Sequence, residues 1–288
     1  MQEKIRNAEI LLEALPYIRE FNKRPFVIKY GGSAMVDPEL RDKVAQDIVL
    51  LKLVSINVIV VHGGGKHINE VIDKYGIAPE FKNGLRVTDD ATMEVAEMVL
   101  SGKANKDIVT LINKHGGRAV GISGKDGPLL FAEQYRDESG EDYGRVGVVN
   151  HVERDILDIL DSNNFIPVIS PVAVDNEGRT YNVNADIAAG KIARAVNAAK
   201  LIYLTDVQGI CRDPSAGDTL YSTLSSSAAL DLMEEGIIAG GMLPKVRSIL
   251  ECLDEGVEKV HIINGTIPHA LLLEIFTRGG IGTEFHLD

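Results

Sequence analysis

Phe26-Val27-Ile28-Lys29-Tyr30-Gly31-Gly32-Ser33 is followed by a second run of the same kind, Asn57-Val58-Ile59-Val60-Val61-His62-Gly63-Gly64-Gly65. Each is a short, nearly all-apolar stretch that ends in a glycine turn. Strands of a parallel sheet have this composition, because helices cover both of their faces. Residues 39–55 predict a helix between the two runs, and residues 66–75 predict another after the second turn. Strand, glycine turn and helix, twice in succession, read as an open parallel α/β sheet. Further strands are expected at 118–122, 166–174, 200–205 and 259–263. Further helices are expected at 91–102, 104–115, 153–162, 184–198, 226–235, 243–255 and 268–277. The polar, Tyr-rich stretch 133–150 reads as an exposed β-hairpin. Residues 3–21 predict a helix with one apolar stripe, Ile5, Ala8, Leu11, Leu12, Leu15 and Ile18, which Pro16 should kink or divide. Turn-rich Asp175-Asn176-Glu177-Gly178 suggests a lobe boundary.

The 288 residues exceed what one small core needs, and two coupled lobes are the natural expectation. With 30 Lys+Arg against 42 Asp+Glu the net charge is −12, which disfavours a general nucleic-acid binder. A few local cations can still hold an anionic substrate. The 2 cysteines, Cys211 and Cys252, form no CxxC pair, so neither a disulfide framework nor a Cys-type zinc site is expected. The apolar runs are too short to span a bilayer. Glu3, Lys4, Arg6, Glu9 and Glu13 are unlike a signal peptide, and a cytoplasmic protein is expected. The histidines show no HExxH spacing, and no protein-held metal is expected. No GxSxG or GxGxxG occurs, and Gly65-Lys66-His67 and Gly124-Lys125-Asp126 both miss the Walker pattern.

Several features point to an anion at the carboxyl end of the sheet, where open α/β folds bind ligands. Glycine turns let backbone N–H groups approach a phosphate, and the following helix N-terminus favours negative charge. Lys29 costs desolvation inside an apolar run unless an anion awaits it. Asn182-Val183-Asn184-Ala185-Asp186 carries three polar side chains, of which helix capping explains one. Leu204-Thr205-Asp206-Val207-Gln208-Gly209 is a turn after a buried strand. Lys245 in Gly240-Gly241-Met242-Leu243-Pro244-Lys245 opens a helix, where a lysine opposes the dipole. Plainer readings exist for each: tight βα turns without a ligand, a snorkelling lysine at a strand end, a solvated lysine on a helix.

Together KYGGSAM (29–35), VHGGGKHIN (61–69), KNGLRVTDD (82–90), YNVNADIAAG (181–190), LTDVQGI (204–210) and GGMLPKV (240–246) resemble the amino-acid kinase family. The resemblance is collinear and nearly full-length, and is greatest to members that phosphorylate N-acetyl-L-glutamate. It implies a three-layer α/β/α sandwich around an open, mainly parallel sheet, in two lobes. Residues 1–22 would form an N-terminal helix for oligomerisation and regulation, 23–178 an N-lobe for the acyl substrate, and 179–288 a C-lobe for ATP. Lys29 and Lys245 would stabilise the transferring phosphoryl group, with Asp186 orienting them and the turns of Gly31, Gly32, Gly63 and Gly64 cradling phosphate. Gly64, Gly65, Arg86 and Asn182 would hold N-acetyl-L-glutamate, with Arg86 on the α-carboxylate. Thr205, Asp206 and Gly209 would lie along the nucleotide. ATP would come with Mg²⁺ held mainly by phosphates and water.

The residue types suit that chemistry. A carboxylate nucleophile, with a pKa of about 4.3, is already ionised at neutral pH and needs no general base. The obstacle is repulsion between it and a triphosphate, so cations, N–H donors and in-line positioning are what the protein must supply. The acetylaminoadipate-type kinases of lysine biosynthesis differ in substrate by one methylene, worth only about 1–3 kcal/mol of discrimination, and remain the alternative. A non-catalytic amino-acid sensor on the same fold is a second, disfavoured by the two lysines and Asp186.

Arginine-inhibited members of the family have a similar N-terminal helix and C-terminal tail. In them the helices interlace three dimers into a hexamer. The resemblance implies L-arginine as inhibitor, bound among Tyr17, His261, Glu274 and Gly280, with Glu274 available to a guanidinium or amino group. A helix that merely covers the core is the alternative. Some relatives also answer to a PII-type nitrogen-signalling protein, a partner on which no motif here bears.

Overall fold

The structure is a computed structural model, and it describes residues 1, 5, 9, 11–76, 78–82, 84–137, 140–213 and 219–288. Ala8 of the N-terminal stripe, Glu3, Lys4 and Arg6, and positions 138–139 of the 133–150 stretch lie outside the described residues.

The strands, in chain order, are β1 (Pro25–Tyr30), β2 (Asn57–His62), β3 (Phe81–Lys82), β4 (Leu85–Arg86), β5 (Ala119–Ser123), β6 (Leu130–Arg136), β7 (Asp142–Val152), β8 (Ile166–Ser170), β9 (Val172–Val174), β10 (Thr180–Asn182), β11 (Lys200–Thr205), β12 (Thr223–Ser225), β13 (Val260–Asn264) and β14 (Thr283–His286). Eight of them form one sheet in the order β12-β14-β13-β11-β1-β2-β8-β5. Every neighbour pairs parallel except β13 with β14. The two runs that opened the reading, β1 and β2, lie side by side at its centre, paired from Pro25↔Asn57 to Tyr30↔His62.

Alternation along these strands builds two cores. Val27 of β1, Ile59 and Val61 of β2, and Leu201 and Tyr203 of β11 face one way. They pack on helices Ala185–Ala195 and Met242–Asp254 through Ala188, Ala189, Ile192, Val246 and Ile249. Phe26, Ile28, Val58, Val60, Ile202 and Leu204 face the other way, onto helices Pro38–Leu53, Asn105–Lys114 and Ala270–Phe276. Helices on both faces of a mainly parallel sheet make the expected three layers. Each fully buried side chain of this kind contributes roughly 1.5–3 kcal/mol. The same alternation sets Lys29 on the Val27 face, under helix Ala185–Ala195.

The 133–150 stretch does form a hairpin, but it begins earlier, as β6 and β7, and it is not simply exposed. Leu130, Ala132, Tyr143, Val146 and Val149 are buried. With β9 and β10 the hairpin closes a small four-stranded barrel. Pro171 divides the expected 166–174 strand into β8 and β9, because proline cannot donate to a ladder. Pro16 divides the N-terminal segment as expected: residues 11–13 are helical, Ala14 is a turn, and helix Leu15–Glu20 starts with Pro16 in its first turn. The apolar stripe is open in the single chain, with Leu11 74% and Leu12 64% exposed. Among the described residues no helix is long and apolar enough to cross a membrane. Both cysteines are free. Cys252 is buried, and burial pushes its thiol up to about 12.

Candidate active site

Lys29 is the penultimate residue of β1, with Tyr30 between it and the glycine turn. Asp186 lies in the first turn of helix Ala185–Ala195, which Asn184 caps by accepting the Asp186 N–H at 2.7 Å. Lys245 lies in the first turn of helix Met242–Asp254. The sheet and the two packed helices bring all three together. Lys29 Nζ is 2.9 Å from Asp186 Oδ1, and Lys245 Nζ is 2.5 Å from Asp186 Oδ2. Burial alone would raise the Asp186 carboxyl. The charges of Lys29 and Lys245 outweigh it and hold the group at about 2. Tyr203 supports the cluster from below, donating to the Asp186 carbonyl at 3.2 Å, with Lys245 Nζ 5.1 Å from its ring centre. Two ammonium groups on one carboxylate leave a net positive charge facing the glycine turns.

The turns fit closely around this charge. A Cβ on Gly31 would lie 2.5 Å from Lys29 Nζ, and one on Gly32, whose φ is +71°, would collide with Asp206. Ser33 gives Asp206 Oδ1 both its N–H and its hydroxyl, each at 2.6 Å, and this ties the β1 turn to the end of β11. Burial raises the Asp206 carboxyl, but the Ser33 bonds and then Lys66 and Lys29 lower it further. Gly63 is placed differently from its expected role: its N–H already goes to the Tyr30 carbonyl at 2.9 Å. Gly64 then starts helix Gly65–Lys74. A cavity of about 240 Å³ lies among Lys29, Gly31, Gly32, Gly64 and Lys66.

Lys29 also lines an adjoining cavity of about 250 Å³, with Gly64, Gly65, Arg86, Asn182 and Asp186. All four residues expected to hold the acyl substrate therefore meet there. Arg86 is buried and stacks over Phe81 at 4.6 Å. Its Nη2 donates to Asn69 Oδ1 at 2.5 Å and to the Gly65 carbonyl at 3.3 Å. Its Nη1 is buried with no hydrogen-bond partner among the described residues. A buried guanidinium nitrogen left open is costly unless an anion completes it. Asn182 is set by Thr88, whose Oγ1 accepts its amide at 3.2 Å. Apolar walls come from Ile68, Leu85, Leu100 and Val146. The site thus offers an anion-completing guanidinium at one end and two lysines at the other. A larger cavity of about 460 Å³ lies on the barrel, away from this cluster, and its Arg179 is already paired with Asp175.

Of the residues expected along a nucleotide, Asp206 reaches the cradle. The Thr205 hydroxyl is engaged by Val207 in its own turn, and Gly209 packs against Thr283.

A fourth cavity, about 360 Å³, is lined by Tyr17, His261, Glu274 and Gly280 together. Glu274 accepts from His261 Nδ1 at 2.7 Å through one oxygen, and from the N–H groups of Ile281 and Gly282 through the other. Both oxygens are engaged, so it is less available to a ligand than expected. Its carboxyl is raised by burial and lowered more by these bonds. Lys200 Nζ lies 2.8 Å from His261 Nε2 and 3.5 Å from Glu284.

Sequence reasoning missed Asn69, Lys200 and Glu284. Lys200 opens the apolar strand β11, the same anomaly that marked Lys29. Asn69 and Glu284 carry no local signal.

The model of the Amino acid kinase family matches residues 24–264. The chain is 52% identical to "Acetylglutamate kinase" of Aquifex aeolicus over 100% of both chains. It is 52% identical to the protein of that name from Methanocaldococcus jannaschii, over 100% of this chain and 99% of the relative. Among solved structures it resembles N-acetylglutamate synthase from Neisseria gonorrhoeae. The TM-score is 0.86 at 28% identity for the complex with coenzyme A and N-acetyl-glutamate. It is 0.83 at 26% for the complex with coenzyme A and L-arginine. Both alignments cover 98% of this chain, which spans 63% and 65% of the two synthase chains.

Proposed function

The chain belongs to the amino acid kinase family, and on that premise we propose that it transfers the γ-phosphoryl group of ATP to the γ-carboxylate of N-acetyl-L-glutamate. The product is N-acetyl-L-glutamyl 5-phosphate, an intermediate of arginine biosynthesis. The observation that carries the reading is the Lys29–Asp186–Lys245 cluster beside a cavity closed by a half-satisfied Arg86. The full-length relatives support the substrate.

In this reading Arg86 Nη1 and Asn182 hold the α-carboxylate end, and the Ile68, Leu85, Leu100 and Val146 walls hold the apolar part. The γ-carboxylate then points at Lys29. Lys29 and Lys245 neutralise charge on the transferring group, the Gly32 and Gly64 N–H groups donate to it, and Asp186 keeps the lysines apart and aimed. Mg²⁺, held mainly by the phosphates and water, would neutralise charge on ATP. The acyl substrate is assigned to 23–178 and ATP to 179–288, with Asn182–Asp186 reaching across. The reading carries with it a cytoplasmic location.

The test is ADP release from MgATP with N-acetyl-L-glutamate, beside N-acetyl-L-aminoadipate, N-acetyl-L-aspartate, glutamate and carbamate. Turnover should favour N-acetyl-L-glutamate by about 10-fold or more, the worth of one methylene or more. Preference for the aminoadipate analogue would move the substrate to the lysine branch. Silence with all of them would leave a sensor.

The proposal extends to feedback inhibition by L-arginine in the cavity of Tyr17, His261, Glu274 and Gly280, in a hexamer built through the N-terminal segment. Two observations support it. The four residues line one cavity, and the stripe of Leu11, Leu12 and Leu15 is left open by its own chain, which argues against a helix that only covers the core. Lys200 and Glu284 line the same cavity and add one charge of each sign to it. Deleting residues 1–22 should abolish inhibition by millimolar arginine and lower the mass seen by light scattering, with kcat retained. Undiminished arginine sensitivity in the truncated protein would refute it.

A further inference from the structure

His62 ends β2 one residue before the glycine loop, and its side chain is fully buried. Its Nδ1 lies 2.8 Å from the Gly63 carbonyl oxygen, and its Nε2 lies 3.2 Å from Nδ2 of Asn105. Asn105 is fully buried too. It opens helix Asn105–Lys114, directly after a π-helical segment, Met98–Ala104. Its Oδ1 accepts from Lys106 Nζ at 3.0 Å, and its Nδ2 donates to the Val168 carbonyl at 2.9 Å and faces that of Ile122 at 3.3 Å. An ammonium on one side and carbonyls on the other fix which end of the amide is nitrogen. The amide nitrogen can only donate, so a proton on His62 Nε2 would meet no acceptor there, and Nε2 is the bare nitrogen of the ring. The ring proton then sits on Nδ1 and is donated to Gly63 O. Burial pushes the imidazole down to about 4, so the ring stays neutral at physiological pH.

The Gly63 carbonyl and the Gly64 N–H belong to one peptide plane. The chain has no cis peptide bonds among its described residues, and in a trans peptide the two groups point in opposite directions. Holding the carbonyl aims the N–H. The preceding plane is held as well, by the Gly63 N–H on Tyr30 O. On the far side Leu100, from the π-helical segment, packs so closely that a Cβ on Gly64 would lie 2.5 Å from its Cδ2.

We propose that His62, in the Nδ1–H tautomer selected by Asn105, is a positioning residue for phosphoryl transfer that aims the Gly64 N–H at the transferring group. It rests on the reading above that this N–H binds that group. A histidine that merely fills the core would depend on its volume. A positioning histidine depends on which ring nitrogen carries the proton.

Asparagine and glutamine separate the two. The amide of asparagine ends near the position of Nδ1, where its nitrogen can donate, and that of glutamine ends near Nε2, where its oxygen can accept from Asn105. His62→Asn keeps a donor for Gly63 O, whereas His62→Gln keeps only the group facing Asn105. The expected result is a kcat lower by on the order of 10²-fold in H62Q, with KM for both substrates within about threefold, and a kcat within about fivefold of wild type in H62N. Equal losses in the two variants, or wild-type kcat in H62Q, overturn the proposal. A second measurement is independent of how the variants fold. Long-range ¹H–¹⁵N NMR of the histidine-labelled wild-type protein should show Nδ1 protonated and Nε2 bare from pH 6 to 9. An Nε2–H or charged ring overturns the proposal. If the wild-type enzyme fails to turn over N-acetyl-L-glutamate, the underlying reading falls with it, and the tautomer signal tells that failure from a wrong local geometry.

Discussion

Lys29→Ala is expected to lower kcat by on the order of 10²–10³-fold while KM for MgATP and for N-acetyl-L-glutamate changes far less. The reasoning starts from charge. The ammonium sits 2.9 Å from Asp186, and the Lys245 ammonium sits on the other oxygen of the same carboxylate. Removing either lysine takes the cluster from net positive to neutral. A unit charge about 4 Å from a developing negative charge, at an effective dielectric constant of about 20, is worth about 4 kcal/mol. That equals roughly three powers of ten in rate. Because the charge on the phosphoryl group is spread most widely at the transition state, the loss falls on kcat. Lys245→Ala should behave alike, by on the order of 10²-fold or more, and the double variant should lose less than the product, since both act through Asp186. Steady-state kinetics beside thermal melts decide it. Near-wild-type kcat in both single variants would sink the mechanism and leave the cluster a structural ion triad. Asp186 itself is not the pH-sensitive part. Its depressed carboxyl contributes stability that is fully present above the ordinary carboxylate range and is lost only as pH falls through about 2.

The centre of the fold was legible because β1, β2 and β11 are buried on both faces, so every residue in them must be apolar or explain itself. Lys29 stood out for that reason. Where one face of a strand looks outward, the signal weakens. The 133–150 stretch reads as polar, yet Tyr143, Val146 and Val149 are buried, and Val146 lines the cavity of Arg86 and Asn182. Two-residue strands such as β3 and β4 carry no period at all, though β4 delivers Arg86. The C-terminal β14 was missed because its antiparallel pairing with β13 is set by tertiary contacts, not by its four residues. The site follows the same rule. Residues that violate their surroundings, such as Lys29 and Lys245, announce themselves. Asn69 and Glu284 are ordinary polar residues, and their significance comes from what faces them. His62 was legible only as a neighbour of glycines. What it does depends on Asn105, which is 43 positions away along the chain.

Arg86→Lys is expected to raise KM for N-acetyl-L-glutamate by roughly 10–100-fold, with KM for MgATP little changed. The substitution keeps the charge, so a change of this size would show that geometry matters. In the wild-type protein one guanidinium nitrogen is spent on Asn69 and Gly65, the plane is stacked on Phe81, and Nη1 is buried without a hydrogen-bond partner among the described residues. A planar group can hold the wall with one nitrogen and present another to a carboxylate. A lysine has a single ammonium and must choose. A hydrogen bond to a charged group is worth about 1.5–3 kcal/mol, which sets the range. The loss should appear equally in ground state and transition state, because the α-carboxylate does not change charge during transfer. For that reason KM rises and kcat holds. N-acetyl analogues lacking the α-carboxylate supply the control: they should bind weakly to the wild-type enzyme and be nearly indifferent to the substitution. If Arg86→Lys lowers kcat and leaves KM alone, Arg86 contacts the reacting end of the substrate instead. The acyl substrate would then lie reversed in the cavity, with its α-carboxylate toward Lys29.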